Sequence, residues 1–95
     1  MSPLDRLKWT SKARSDLVRL HEFLAPNNPR AAASVIQALV SAPTKIVGHP
    51  RLGERLEEFN PREVRRLFVG HYELRYEVRD STIYVLRLWH GREDR

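Results

Sequence analysis

The feature that most limits the fold is a change of hydrophobic period part-way along the chain. Before residue 48 apolar side chains recur at steps of three and four, and after residue 62 they alternate. The first spacing puts one apolar stripe on a helix and the second puts one apolar face on a strand. The two kinds of element are thus segregated along the chain. That ordering predicts an α+β domain whose helices pack on one face of an antiparallel sheet.

The stretch 4–9 carries Leu7 and Trp9 on either side of Lys8 and reads as a strand. Thr10 and Ser11 then offer a helix N-cap. In 12–25, Ala13, Leu17, Leu20 and Leu24 form the apolar stripe, with Arg14, Asp16, Arg19 and Glu22 assigned to other faces. Asn27 and Asn28 before Pro29 open a second helix, with Ala32, Val35, Ile36, Leu39 and Val40 at helical spacing. The link between the helices is a few residues long, so they fold back as an antiparallel hairpin. Pro43 is expected to end or kink the second helix at Ala42, with Ile46 and Val47 adding a further turn.

Residues 48–62 have neither period, and a connection of that length is expected to be functional or partly strand. Three strands follow, over 63–69, 72–79 and 82–90, joined by turns at Gly70-His71 and Asp80-Ser81. In the middle strand Tyr72, Leu74, Tyr76 and Val78 should pack, leaving Glu73, Arg75 and Glu77 wet. The run from Ile83 to Leu88 is nearly all apolar and is expected to lie inside the sheet. The predicted order is β-α-α-β-β-β within one 95-residue domain.

Composition removes several functions. No cysteine is present, which rules out thiol catalysis and cysteine–zinc motifs. Phosphate-loop, dinucleotide, zincin and nucleophile-elbow signatures are absent, so no cofactor is expected. His21, His49, His71 and His90 share no helical spacing, so no metal site is expected either. Without a long apolar run or a signal h-region, no membrane association is expected and the expected location is the cytoplasm. Basic residues number 17 against 12 acids, a net charge of +5, and 14 of the 17 are arginine. Planar guanidinium groups suit phosphate and carboxylate partners.

A polar set remains on the strands: Arg65 and Arg66 on the first of the three, Arg75 on the second, Arg87, Trp89 and His90 on the third, with Arg92 beyond. Adjacent strands lie ~4.8 Å apart, so these side chains are expected to converge on one surface. Taken singly, each also has a plain structural use: Trp89 as core, Arg75 paired with Glu73 or Glu77, and His90 in a local hydrogen bond.

The order of motifs resembles a known family. His49-Pro50-Arg51-Leu52-Gly53, Val64-Arg65-Arg66-Leu67, Tyr72-Glu73-Leu74-Arg75-Tyr76 and the ending Val85-Leu86-Arg87-Leu88-Trp89-His90-Gly91-Arg92-Glu93-Asp94 are similar to the ParE/RelE superfamily of bacterial type II toxins. Trp9, Ala13-x-x-Asp16-Leu17 and Asn28-Pro29-x-Ala31-Ala32 extend the likeness over nearly the whole chain. The resemblance implies a growth-arresting toxin and a co-encoded antitoxin, with operator DNA engaged only through that antitoxin.

Activity divides by branch. ParE-like members inhibit DNA gyrase by contact, whereas RelE-like members cut mRNA on the ribosome. For the nuclease, the resemblance places Arg66 on the transition-state arginine, His90 on the terminal histidine and Glu54 near a loop carboxylate that serves as base. Gly91 stands where that branch carries a tyrosine, and Lys8, Lys12 and Lys45 are the only lysines. The ending Leu88-Trp89-His90-Gly91-Arg92-Glu93-Asp94 resembles ParE-like and plasmid-stabilisation members more closely, which makes gyrase inhibition the preferred expectation. On that branch Arg65, Arg66, Arg75, Arg87, Trp89, His90 and Arg92 serve as contact surface. A further alternative is a non-toxic module that only binds its antitoxin.

Overall fold

The computed structural model describes residues 6–92. Strand β1 (Arg6–Trp9) leads into helices α1 (Ser11–Leu24) and α2 (Pro29–Gly48). Strand β2 (Glu54–Arg55), a 3-10 turn (Glu57–Phe59) and strands β3 (Glu63–Val69), β4 (Tyr72–Arg79) and β5 (Thr82–His90) follow. The five strands form one sheet in the order β1-β5-β4-β3-β2. The predicted meander is β3-β4-β5, all antiparallel, and β1 joins it parallel to β5. The connection over 48–62 contributes β2, so it is partly strand.

Local chemistry accounts for the helix starts. The Thr10 hydroxyl accepts the Ala13 N–H at 3.1 Å, and the Asn28 side chain accepts that of Ala31 at 3.0 Å; each satisfies one of the N–H groups a first turn leaves open. Helix α2 does not end at Ala42 but continues through Pro43 to Gly48. Ala42, Pro43 and Ile46 are buried. Burying an aliphatic side chain yields ~1.5–3 kcal/mol, on the scale of the ~3 kcal/mol that an interior proline costs.

The expectation of no apolar segment on the scale of a membrane span also needs correction. Helix α2 runs 20 residues with a mean hydropathy of 1.3 over an 18-residue window, enough by length and composition to cross a membrane. Only Arg30 and Lys45 are charged in it, and its polar positions are otherwise Ser, Gln and Thr. Its buried Leu39, Ala42 and Ile46 pack with the core residues of the sheet.

The core lies between the helices and one sheet face. Ala13, Leu20, Leu39, Ala42 and Ile46 meet Tyr72, Leu74, Tyr76, Ile83, Val85 and Leu88. Asp16 departs from its expected place, because it is 4% exposed and lies on the inner side of α1. The opposite sheet face is not simply wet either. Glu73 is fully buried there and Glu77 nearly so, since Trp89 is the cross-strand neighbour of Glu73 and Arg62 binds Glu77 with two hydrogen bonds of 2.8 and 3.1 Å.

Candidate functional site

Four strands place one residue each in a single lateral row. Glu54 pairs with Arg66, Arg66 with Arg75, and Arg75 with Arg87. Side chains opposite one another on neighbouring strands share a sheet face, and this face is the one turned away from the helices. Three guanidinium groups so close would repel, and each is held by its own carboxylate. Arg66 Nε binds Glu54 at 2.9 Å, Arg75 binds Glu73 at 3.0 Å, and Arg87 Nε binds Asp16 at 2.8 Å. Hydrogen bonding to Glu54 raises the Arg66 pKa further, so it stays charged.

Aromatic rings interleave with the row. Trp89 has the Arg75 guanidinium 4.6 Å and the Arg87 guanidinium 5.0 Å from its ring, within cation–π range. Phe59 of the 3-10 turn approaches Arg75 at 5.6 Å, and Phe68 lies 5.6 Å from Arg66. Phe68 is exposed. The result is an arginine–aromatic platform with paired charges, which the Arg66 and Arg87 side chains partly present to solvent, while Trp89, at 7% exposure, is buried within it and so also serves as core.

Not every predicted residue joins it. Arg66, Arg75, Arg87 and Trp89 converge, with Glu54 at the edge, whereas Arg65 and His90 point to the helix side. Arg65 is the partner of Tyr76 in register, and it binds the Gly53 carbonyl at 2.7 Å and Glu63 at 2.8 Å. His90 is the partner of Tyr72, with the two rings edge-to-face at 5.0 Å. The His90 Nδ1 accepts the Arg92 N–H at 3.1 Å. His90 and Arg92 line a groove of about 490 Å³ with Arg19, Leu20, Phe23 and Tyr72. The expected single surface is therefore two surfaces, separated by the sheet.

The switch of faces comes from one residue. Arg75 faces Arg87 while Tyr76 faces Val85, so Leu86 is an extra residue in β5. Such a bulge shifts all following side chains to the other face. Beyond it β1 has ended, and α1 serves the open edge of β5. Thr10 Oγ1 donates to the Val85 and Leu86 carbonyls, Asp16 accepts the Leu88 N–H at 2.9 Å, and Arg19 donates to the Leu88 carbonyl at 3.0 Å. Burial pushes the Asp16 pKa up, but hydrogen bonds from Arg87, the Leu88 N–H and Arg19 outweigh it and hold the carboxyl below its usual value.

Two residues outside the predicted set shape the Glu54 side. The Tyr76 hydroxyl donates to the Pro50 carbonyl at 2.8 Å and accepts the Gly53 N–H at 2.9 Å. A Cβ on Gly53 would lie 2.6 Å from the Arg66 carbonyl and 2.9 Å from the Tyr76 ring, so only glycine fits there. Asp16, a lone acid in the apolar stripe with Ala13 and Leu20, was the available signal for the edge clamp. Among the described residues no group of three or more His, Asp or Glu is placed to hold a metal.

A strand, a helix hairpin and a mixed five-stranded sheet make up the architecture that the ParE/RelE resemblance implies. The fold is shared with the chromosomal ParDE system of P. aeruginosa at a TM-score of 0.77 and 24% identity, covering 94% of this chain and 98% of that one. It is shared also with the archaeal RelE–RelB complex of Pyrococcus horikoshii at 0.69 and 18%, covering 96% and 99%. Toxin RelE3 of Caulobacter vibrioides is 33% identical over 85 residues, 88% of this chain and 91% of that protein. The sequence profile described as "ParE toxin of type II toxin-antitoxin system, parDE" matches residues 7–95. The chain belongs to that family of type II toxins.

Proposed function

We propose that this toxin acts in the cytoplasm by contact on DNA gyrase, without cutting RNA, and that a cognate antitoxin neutralises it. The observation that carries this reading is that Arg66 and His90 stand on opposite faces of the sheet. RNA cleavage needs a base, a cation and an acid around one phosphate, and a sheet cannot be reached through. Gly91 adds support, because its N–H binds the His71 carbonyl at 2.7 Å and a Cβ there would meet that oxygen at 3.0 Å. A tyrosine at this position would have to displace the turn.

Antitoxin binding is supported by uncovered apolar surface on the helix side. Phe23 is 72% exposed beside the groove containing Tyr72 and His90, and Val18 and Val40 are also exposed. Patches of this kind mark partner sites. Solved relatives of the same fold were crystallised or described as toxin–antitoxin systems.

The nuclease reading draws on one specific observation, the Glu54–Arg66 contact of 2.9 Å, which puts a carboxylate beside a cation. Induction of the toxin alone separates the two. Gyrase inhibition gives DNA damage and filamentous cells with intact mRNA. Codon-specific mRNA cleavage, lost in Arg66→Ala or His90→Ala, would assign the chain to the RelE-like nucleases.

A further inference from the structure

We infer that Asp16, on the helix side, is the positioning residue for the Arg87–Trp89 part of the platform on the opposite face. The inference rests on the reading of that platform as the surface the toxin uses on its target.

Asp16 is buried on α1, yet its hydrogen-bond partners among the described residues lie on β5 and on its own helix. Oδ2 accepts Arg87 Nε at 2.8 Å and the Leu88 N–H at 2.9 Å, and Oδ1 accepts Arg87 at 3.3 Å and Arg19 at 3.2 Å. The Arg87 guanidinium is thus gripped by both carboxylate oxygens, a geometry that fixes its plane as well as its position. The same guanidinium lies 5.0 Å from the Trp89 ring. Among the described residues Arg87 is the platform member that Asp16 hydrogen-bonds, so it acts through that arginine.

The location explains why a carboxylate is needed. At the Leu86 bulge the ladder between β5 and β1 has stopped, and the Leu88 N–H would otherwise be a buried donor without a strand partner. A neutral hydroxyl could accept that N–H. It could not also hold a guanidinium in two-point contact, nor offset the charge that Arg87 brings next to Arg75 in the row. One side chain therefore closes the sheet edge and sets the platform. Arg19 shares Asp16 and also lines the groove on the helix side, so the two faces meet at this carboxylate.

The test uses the full chain and the NMR indole N–H signals of Trp9 and Trp89. Asp16→Asn is expected to shift the Trp89 indole, leave that of Trp9 in place, and weaken growth arrest by roughly 2- to 30-fold, the range for a residue acting through a neighbour. Ile46→Val, a mildly destabilising core change away from this network, serves as the control and should move neither readout. An unmoved Trp89 indole and undiminished growth arrest in Asp16→Asn would overturn the inference. If the indole moves while arrest persists, Trp89→Ala decides. Arrest that survives Trp89→Ala too refutes the platform as the target surface and leaves the positioning intact. Arrest lost in Trp89→Ala but kept in Asp16→Asn refutes the functional role of Asp16.

Should Asp16→Asn not fold, acid titration of the unaltered protein replaces it. Among the described residues the charged groups around Asp16 are Lys12, Arg19 and Arg87, with Glu73 and Arg75 beside Trp89. The Trp89 indole should follow the side-chain carboxyl signal of Asp16. An indole that follows Glu73 instead, or stays flat through the Asp16 titration, overturns the inference.

Discussion

Removing one oxygen from Tyr76 should loosen the Glu54 edge of the platform without disturbing the core. The Tyr76 ring is fully buried among core residues, and Phe retains that ring, so no cavity opens. What disappears is the hydroxyl that joins the Pro50 carbonyl and the Gly53 N–H. The Gly53 N–H then lies buried without an acceptor. Leaving such a donor unsatisfied costs ~1–3 kcal/mol. For a domain of this size each kcal/mol lowers Tm by roughly 4–8 °C, so Tyr76→Phe should melt about 8–16 °C lower for a loss near the middle of that range.

Urea unfolding with unchanged m-value measures the loss, and hydrogen exchange at the Gly53 amide locates it. Burial raises the Tyr76 pKa above its ordinary value of 10.0. The stability held by the neutral phenol is therefore complete below that value and declines as pH rises through the higher folded-state value. Tyr76→Phe should show less of this alkaline loss. A stability change under ~0.5 kcal/mol, or Gly53 exchange equal to that of the original protein, would refute the assignment of this hydroxyl as the loop anchor.

Other outcomes follow from the same structure. The Glu77 pKa is lowered by hydrogen bonding to Arg62, and that of Asp16 is lowered on balance; their stabilisation is complete above the unfolded values of ~4 and fades as pH falls through the lower folded values. Urea midpoints between neutral pH and pH 2 should drop, less steeply in Asp16→Asn. Asp80 and Ser81 both have positive φ, 52° and 63°, so Ser81→Gly should stabilise by about 0.5–1 kcal/mol in thermal unfolding. Antitoxin association should slow as salt rises above physiological strength, given the net charge of +5; a salt-independent on-rate in stopped flow would contradict electrostatic steering. Growth arrest should survive His90→Ala and weaken in Trp89→Ala, read as colony counts after induction.

The amino-acid sequence determined the element types, because period and punctuation are local properties. Thr10 and Asn28-Pro29 mark helix starts, Gly70-His71 and Asp80-Ser81 mark turns, and alternation in 63–90 marks strands. It also determined the residue types of the platform and narrowed the partner of Arg75 to Glu73 or Glu77, of which the fold selects Glu73. Contacts between distant segments decided the rest. Pro43 stays helical in a turn buried together with Ala42 and Ile46, and Asp16 turns inward because β5 has an open edge that needs an acceptor. The side on which each residue of the site stands was decided the same way. Strict alternation from Ile83 and Val85 would put Arg87 and Trp89 toward the helices and His90 on the sheet face that carries Arg66. One extra residue, Leu86, held by the Thr10 hydroxyl, reverses that parity. A bulge is a mismatch between two strands, so β5 alone does not specify it. Only the pairing of β5 with β4, under the clamp from α1, places Arg87 and Trp89 on one face and His90 on the other.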